Sequence, residues 1–292
     1  MVITPEQAPQ LSPIFKGKAG RLLFRLCLKV TGIDHVNRLH EHAEKAGIPP
    51  GPDFAKDILD GIGVDFLIGN PERLAFPEGP FIVISNHVYG HIDGIALVDV
   101  LGHVRPKSKV MVNEFLMWIR GLSPNFIPVN PTVTKRGAPT STSINGIKSA
   151  LQQIREGEPL AIFPSGAVAD LKPRQGWILN EREWQDAAVR LIRKARVPVI
   201  PIRFFDRNSW FYYALGLLDY RIRFARLFHE VANKRGTFPR MGIGPTISVD
   251  QQDAVPDAEF KAFLRSSVYD MPLPERFVKR SELFRKSPNC DA

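Results

Sequence analysis

Phe81 to Gly94 reads FIVISNHVYGHIDG. An apolar run rich in β-branched residues, Phe81 to Ile84, is followed at once by Asn86, His87, Gly90, His91, Asp93 and Gly94. Such a run predicts a buried strand that delivers polar residues into a loop at its carboxyl end. In an α/β sheet, ligands bind at that end. An imidazole titrates near neutrality, and a carboxylate beside it fixes its tautomer and stabilises the imidazolium, so His87 is a candidate general base with Asp93 as its partner. On one continuous helix the two side chains would stand about 240° apart. They can meet only across a turn, and Gly90 supplies the residue for it.

Working outward, short apolar runs alternate with helical periods from Val64 onward, the pattern of an α/β sheet. The expected strands are Val64–Ile68, Phe81–Ile84, Lys109–Val112, Phe126–Val129, Pro159–Phe163, Val197–Phe204 and one around Met241–Val249. Helices are expected over Asp93–His103, over Thr142–Glu156 with a Ser/Thr-rich start and Gly157 as its stop, and over Glu181–Arg196. Residues 1–63 read as a helical amino-terminal cap, 64–250 as the core, and 251–292 as a helix (Asp257–Tyr269) followed by a tail that is disordered from Ser287. In the cap, Ile14–Ile33 carries Lys18, Arg21, Arg25 and Lys29 as one basic stripe beside an apolar face. That make-up fits a helix lying in the headgroup plane or one packed on the core. His35, His40 and His42 do not share one helical face and read as surface residues.

The 292 residues are 44% hydrophobic and 24% charged, a globular composition. Lys and Arg number 39 against 30 Asp and Glu, a net charge of +9 with a pI near 9.7, which favours an anionic partner or surface. The two cysteines, Cys27 and Cys290, suggest neither a disulfide framework nor a thiolate metal site, and the reading places the chain in a reducing cytoplasm. No secretory signal is visible at the amino terminus, and no window reaches the length of a spanning helix. Asn208–Phe228 mixes aromatic and basic residues: Trp210, Phe211, Tyr212, Tyr213, Tyr220, Arg221, Arg223, Phe224, Arg226 and Phe228. The mixture suits a membrane interface, and without a nucleic-acid-reading motif beside it the expectation is lipid rather than nucleic acid.

Three rival readings of the central stretch stand beside the base. His87 and His91 with Asp93 could hold zinc or iron if the stretch were helical, which Gly90 and the preceding strand oppose. His87, Asp93 and Ser165 could form a hydrolase triad, although Ser165 lies in IFPSGA and lacks the GxSxG elbow. His87 could also be a satisfied residue at a strand end, a reading weakened by the density of Asn, His, Gly and Asp around it.

NHVYGHIDG, IFPSGAVAD and VPVIPIRF, in that order, resemble the motifs of the glycerolipid acyltransferase superfamily, whose members transfer a fatty acyl group to a lysolipid hydroxyl and place four residues between a His and an Asp. The five-residue gap here, together with RNSWFYYAL at 207–215, is closer to the haemolysin-like branch that includes lyso-ornithine-lipid acyltransferases. The resemblance covers about Val64 to Val249. It implies a mixed central sheet flanked by helices, similar to glycerol-3-phosphate acyltransferase, with His87 as base and Asp93 as its partner. Phe163, Pro164, Ser165 and Gly166 would form the acceptor or oxyanion-side loop, with Asn86, Gly90 and Asn130 also at the substrate. Where the superfamily has the Glu and Arg of FPEGTR, this chain has Ser165 and Val168, and FIPVNP places Asn130 where an Arg often stands. The usual guanidinium contacts to an acceptor phosphate are missing, and Lys135, Arg136 and Arg174 are the cations that could replace them. The implied reaction uses acyl carrier protein or coenzyme A thioester as co-substrate, without a resident cofactor. It would be carried out by a peripheral protein on the cytoplasmic face of the inner membrane. A basic membrane-binding protein without activity is the non-enzymatic alternative.

Overall fold

The computed structural model describes residues 17–22, 25, 33–130, 140–218 and 220–284. Most of the Ile14–Ile33 stripe, Lys135, Arg136, both cysteines and the 287–292 tail lie outside the described residues, as do the side chains of Tyr220, Arg221, Phe224 and Phe228.

Strand β2 (Ile82–Ser85) is buried along its whole length. It pairs in parallel with β8 (Val199–Phe204) on one side and β5 (Leu160–Ile162) on the other. A strand covered on both faces favours a continuous apolar run, which is why Ile82–Ile84 does not alternate with polar residues. Phe81 and Val83 join a core with the helices α1 (Ile33–Lys45), α2 (Pro52–Ile62) and α3 (Ile92–Val104). Ile82 and Ile84 point the other way, into a core with α4 (Ser141–Arg155), α5 (Asp186–Ala195) and α9 (Asp257–Tyr269). With β1 (Leu67–Gly69), β3 (Lys109–Asn113), β4 (Phe126–Val129), β9 (Arg240–Ile243) and β10 (Phe277–Lys279), the sheet runs β10-β1-β9-β8-β2-β5-β3-β4. From β8 to β4 every pair is parallel, while β9 is antiparallel to β8 and β10 antiparallel to β1. The mixed sheet flanked by helices is therefore present.

Several details differ from the sequence reading. The first strand is displaced to Leu67–Gly69 and the late one stops at Ile243. A hairpin of β6 (Asp170–Lys172) and β7 (Ile178–Asn180), and the strand β10, were not anticipated, because three-residue strands show too little alternation to be read. Helix α5 starts at Asp186 rather than Glu181, since Gln185 has extended backbone geometry and β7 already occupies the residues up to Asn180. His40 is buried edge-on against Phe54, not at the surface, and burial pushes its imidazole down to about 4. Helix α4 follows the reading closely: Thr140 caps it through Ser143 N–H, and Gly157 behind it adopts φ 84°. After β8 the chain forms α6 (Trp210–Leu218) and α7 (Tyr220–Asn233), and α6 packs on β6. The short α8 (Val249–Asp253) and α10 (Arg280–Leu283) complete the described helices beyond residue 33.

Candidate active site

Strand β2 ends at Ser85 and α3 begins at Ile92, so residues 86–91 form the turn on which the site is built. Gly90 has φ 82°, and a Cβ there would stand 2.5 Å from a Val168 methyl, so both backbone and space require glycine. The turn brings Asp93, in the first turn of α3, back against His87. Asp93 Oδ2 lies 2.8 Å from His87 Nδ1 and accepts Tyr89 N–H and Gly90 N–H at 3.1 Å each. Its Oδ1 accepts Gly94 N–H at 3.0 Å. Burial alone would raise this carboxyl, but the imidazole, its hydrogen bond and the amides hold it down at about 2. The amino terminus of α3 also favours the negative charge.

With Nδ1 committed to Asp93, Nε2 is the His87 nitrogen left to take a proton. Burial by itself would lower the imidazole; Asp93 and Glu181 outweigh it and hold His87 above its ordinary value. The side chain keeps 19% of its surface exposed, and the ring lies 4.3 Å from that of Phe163. His87 and Asp93 border a pocket of about 510 Å³ whose walls include Met111, Leu116, Ile147, Phe163 and Leu191. The shape and apolar lining suit a hydrocarbon chain.

The other sequence candidates divide. Phe163, Pro164, Gly166, Gly90 and Asn130 line the pocket. Asn86 does not: it is buried and clamps β8 through both Phe204 backbone groups, at 2.8 and 2.9 Å. Ser165 is buried with its hydroxyl donated to Ala167 O at 3.0 Å, outside the pocket lining, so the hydrolase triad does not form. Arg174 sits exposed in the 173–175 turn and does not line the pocket. His91 lines the pocket and caps α3, its Nδ1 accepting Ile92 N–H at 2.6 Å, while Nε2 is buried without a hydrogen-bond partner and burial drives the imidazole down to about 4. Nδ1 is thus already engaged, and among the described residues no His/Cys/Asp/Glu group is placed to hold a metal. Of the oxyanion-loop amides, Gly166 N–H closes a turn on Phe163 O and Ala169 N–H is bound by His87 O. Ala167 lines the pocket, and its N–H has only a 3.5 Å contact to Ser165 Oγ, which leaves it weakly engaged.

Two residues were missed. Glu181, buried, accepts His87 N–H through Oε1 at 2.6 Å, and burial pushes its carboxyl up. Its placement inside an expected helix concealed it. Arg223 on α7 lines the pocket while bonded to Asp170 and to Ala169 O. In the sequence it stands only as part of the aromatic and basic segment, and a pocket contact across that distance in sequence leaves no local signal.

A lyso-glycine lipid O-acyltransferase of Bacteroides thetaiotaomicron is 30% identical over 190 residues, 64% of this chain, and the match spans less than two thirds of that protein, 64%. A lyso-glycine lipid O-acyltransferase of Phocaeicola vulgatus is 29% identical over 238 residues, 75% of this chain and 81% of its own. The crystal structure of the 1-acyl-sn-glycerophosphate acyltransferase PlsC from Thermotoga maritima aligns with a TM-score of 0.47 at 14% identity, over 75% of this chain and 78% of that one. The family described as Acyltransferase matches residues 2–271, and the chain belongs to that family.

Proposed function

We propose that the protein transfers a fatty acyl chain from an acyl thioester to the hydroxyl of a lysolipid. The observation that carries the reading is the His87–Asp93 pair at the edge of an apolar pocket of about 510 Å³. His87 Nε2 takes the hydroxyl proton as that oxygen attacks the thioester carbonyl carbon. The oxyanion is met by Ala167 N–H. Collapse forms the ester and expels the thiolate, which takes the proton back from His87. The chemistry calls for no resident metal or prosthetic group; acyl carrier protein or coenzyme A delivers the acyl chain.

Amino-acid-headed lysolipids of the glycine-lipid kind are the proposed acceptors. The two relatives support this class, as does the departure from the superfamily's cation positions at Ser165, Val168 and Asn130; Arg223, the arginine in the pocket wall among the described residues, is already bonded to Asp170. We place the reaction at the cytoplasmic face of the inner membrane, with the protein bound peripherally. No described helix is long and apolar enough to cross a membrane, and a net charge of +9 draws the chain to an anionic surface. The test is incubation of purified protein with acyl carrier protein and coenzyme A thioesters and a panel of lysolipids, read by mass spectrometry. An ester product with an amino-acid-headed acceptor is expected. Thioester hydrolysis without ester formation on any acceptor would overturn the reading.

A further inference from the structure

Helix α6, WFYYALGLL, has no charged residue and is built inside out. Tyr212 and Tyr213 are buried and pack with Leu227 against Val168, Leu171 and Leu179. Tyr213 also donates its hydroxyl to Val88 O at 3.2 Å. The solvent side holds Trp210 (53% exposed), Phe211 (57%), Leu217 (44%) and Leu218 (77%). Those positions, with exposed Ala214 between them, follow the spacing of one helical face. A helix that met only water would carry its polar residues there.

A second observation comes from the turn of the β6–β7 hairpin, whose β6 strand packs on α6. Trp177 is 62% exposed and Ile178 47%. Trp177 also has φ 59°, directly behind Gly176 at φ 83°. A bulky residue rarely takes left-handed backbone, and the conformation is strained unless its surroundings hold it. Here the indole gains no burial from it. Arginines accompany the rings: Arg207 lies 4.2 Å over Trp210 and Arg226 5.2 Å over Phe211, while Arg174 and Arg182 are exposed near the turn. Exposed aromatic and aliphatic side chains among cations match a bilayer whose headgroups are anionic. The same unit forms one wall of the pocket through Val168, Tyr212 and Leu227.

We propose that the outer face of α6 and the 176–178 turn are the docking surface for an anionic lipid bilayer, set so that the pocket opens beside the membrane. The proposal rests on the lipid-acceptor reading of the site. The test is sedimentation with phosphatidylcholine vesicles with and without phosphatidylglycerol. Wild type should sediment with the anionic vesicles. The Trp177→Ser/Phe211→Glu/Leu218→Glu variant should need at least about tenfold more lipid, since each large apolar side chain removed from an interface is worth roughly one such factor. Leu273→Glu, also at an exposed leucine but beside Pro274 at the Gly69 end of the sheet, should bind as wild type. Transfer to a short-chain, water-dispersed acceptor should persist in the triple variant. A readout that needs only conservative changes is fluorescence quenching by brominated lipid, which Trp177→Phe and Trp210→Phe should diminish. Wild type that ignores anionic vesicles, variants that bind equally, or a wild-type dimer that the substitutions dissolve would overturn the surface. Patch-dependent binding by a wild type that makes no ester would leave the surface standing and remove only the proposed reaction.

Discussion

His87 has Nδ1 fixed by a fully buried carboxylate and its backbone N–H fixed by Glu181 Oε1, so the ring is held from two directions. Asp93→Asn would leave the turn amides an acceptor but present an amide where the Nδ1–H is bound, and activity is expected to fall roughly 10²–10⁴-fold. Because the imidazole is held above 6.5 and must be neutral to accept a proton, kcat/KM is expected to rise with pH through a limb above 6.5. Glu181→Gln keeps an acceptor for the His87 amide but removes a negative charge that favours the imidazolium, so that limb should move to lower pH. A pH–rate profile of the two proteins checks this, and an unmoved limb would limit Glu181 to a structural role. At this scale the sequence was informative where residues are adjacent, as with His87, Gly90 and Asp93. It was misleading where polarity served packing: Asn86 looked like a ligand-binding residue and is a clamp between strands, because a side-chain amide can replace two missing backbone partners.

The element that carries the site is the β2–α3 turn, and both its ends are sensitive. Gly90→Ala would force an L-residue into φ 82° and a methyl against Val168, and is expected to cost more than about 1 kcal/mol, read from the urea midpoint. At the other end His91 caps α3 as a neutral imidazole whose folded value is about 4 against an ordinary 6.5. The unfolded chain binds that proton more readily. Stability from this group is therefore intact above pH 6.5 and lost as pH falls toward 4, by roughly 3 kcal/mol. His91→Asn, which retains a capping oxygen, should flatten the difference in unfolding free energy between pH 7 and pH 4 relative to wild type. An equally steep variant would contradict the assignment. Long periodic helices such as α4 and α9 were legible because their spacing repeats over three turns. The β6–β7 hairpin was not, and its omission extended α5 over Glu181 and hid a site residue.

Across the molecule, segments distant in sequence are tied by Arg280. Its buried guanidinium binds Asp99 of α3 at 2.9 Å, approaches Asp65 at 3.5 Å and bonds to Asp60 of α2. Arg280→Ala would leave buried Asp99 with His103 as its remaining basic neighbour, 2.9 Å away, and a loss of about 3 kcal/mol in equilibrium unfolding is expected. This tie, together with β10, draws residue 280 onto the core, an arrangement that no local pattern in the sequence signals. The sheet itself was legible because strands buried on both faces read as unbroken apolar runs. The proposed role of His87 as base is tested by ester formation by His87→Ala under conditions where wild type turns over and both proteins share one urea midpoint. Loss of ester by about a hundredfold or more is expected; wild-type-like turnover by His87→Ala would rule that role out.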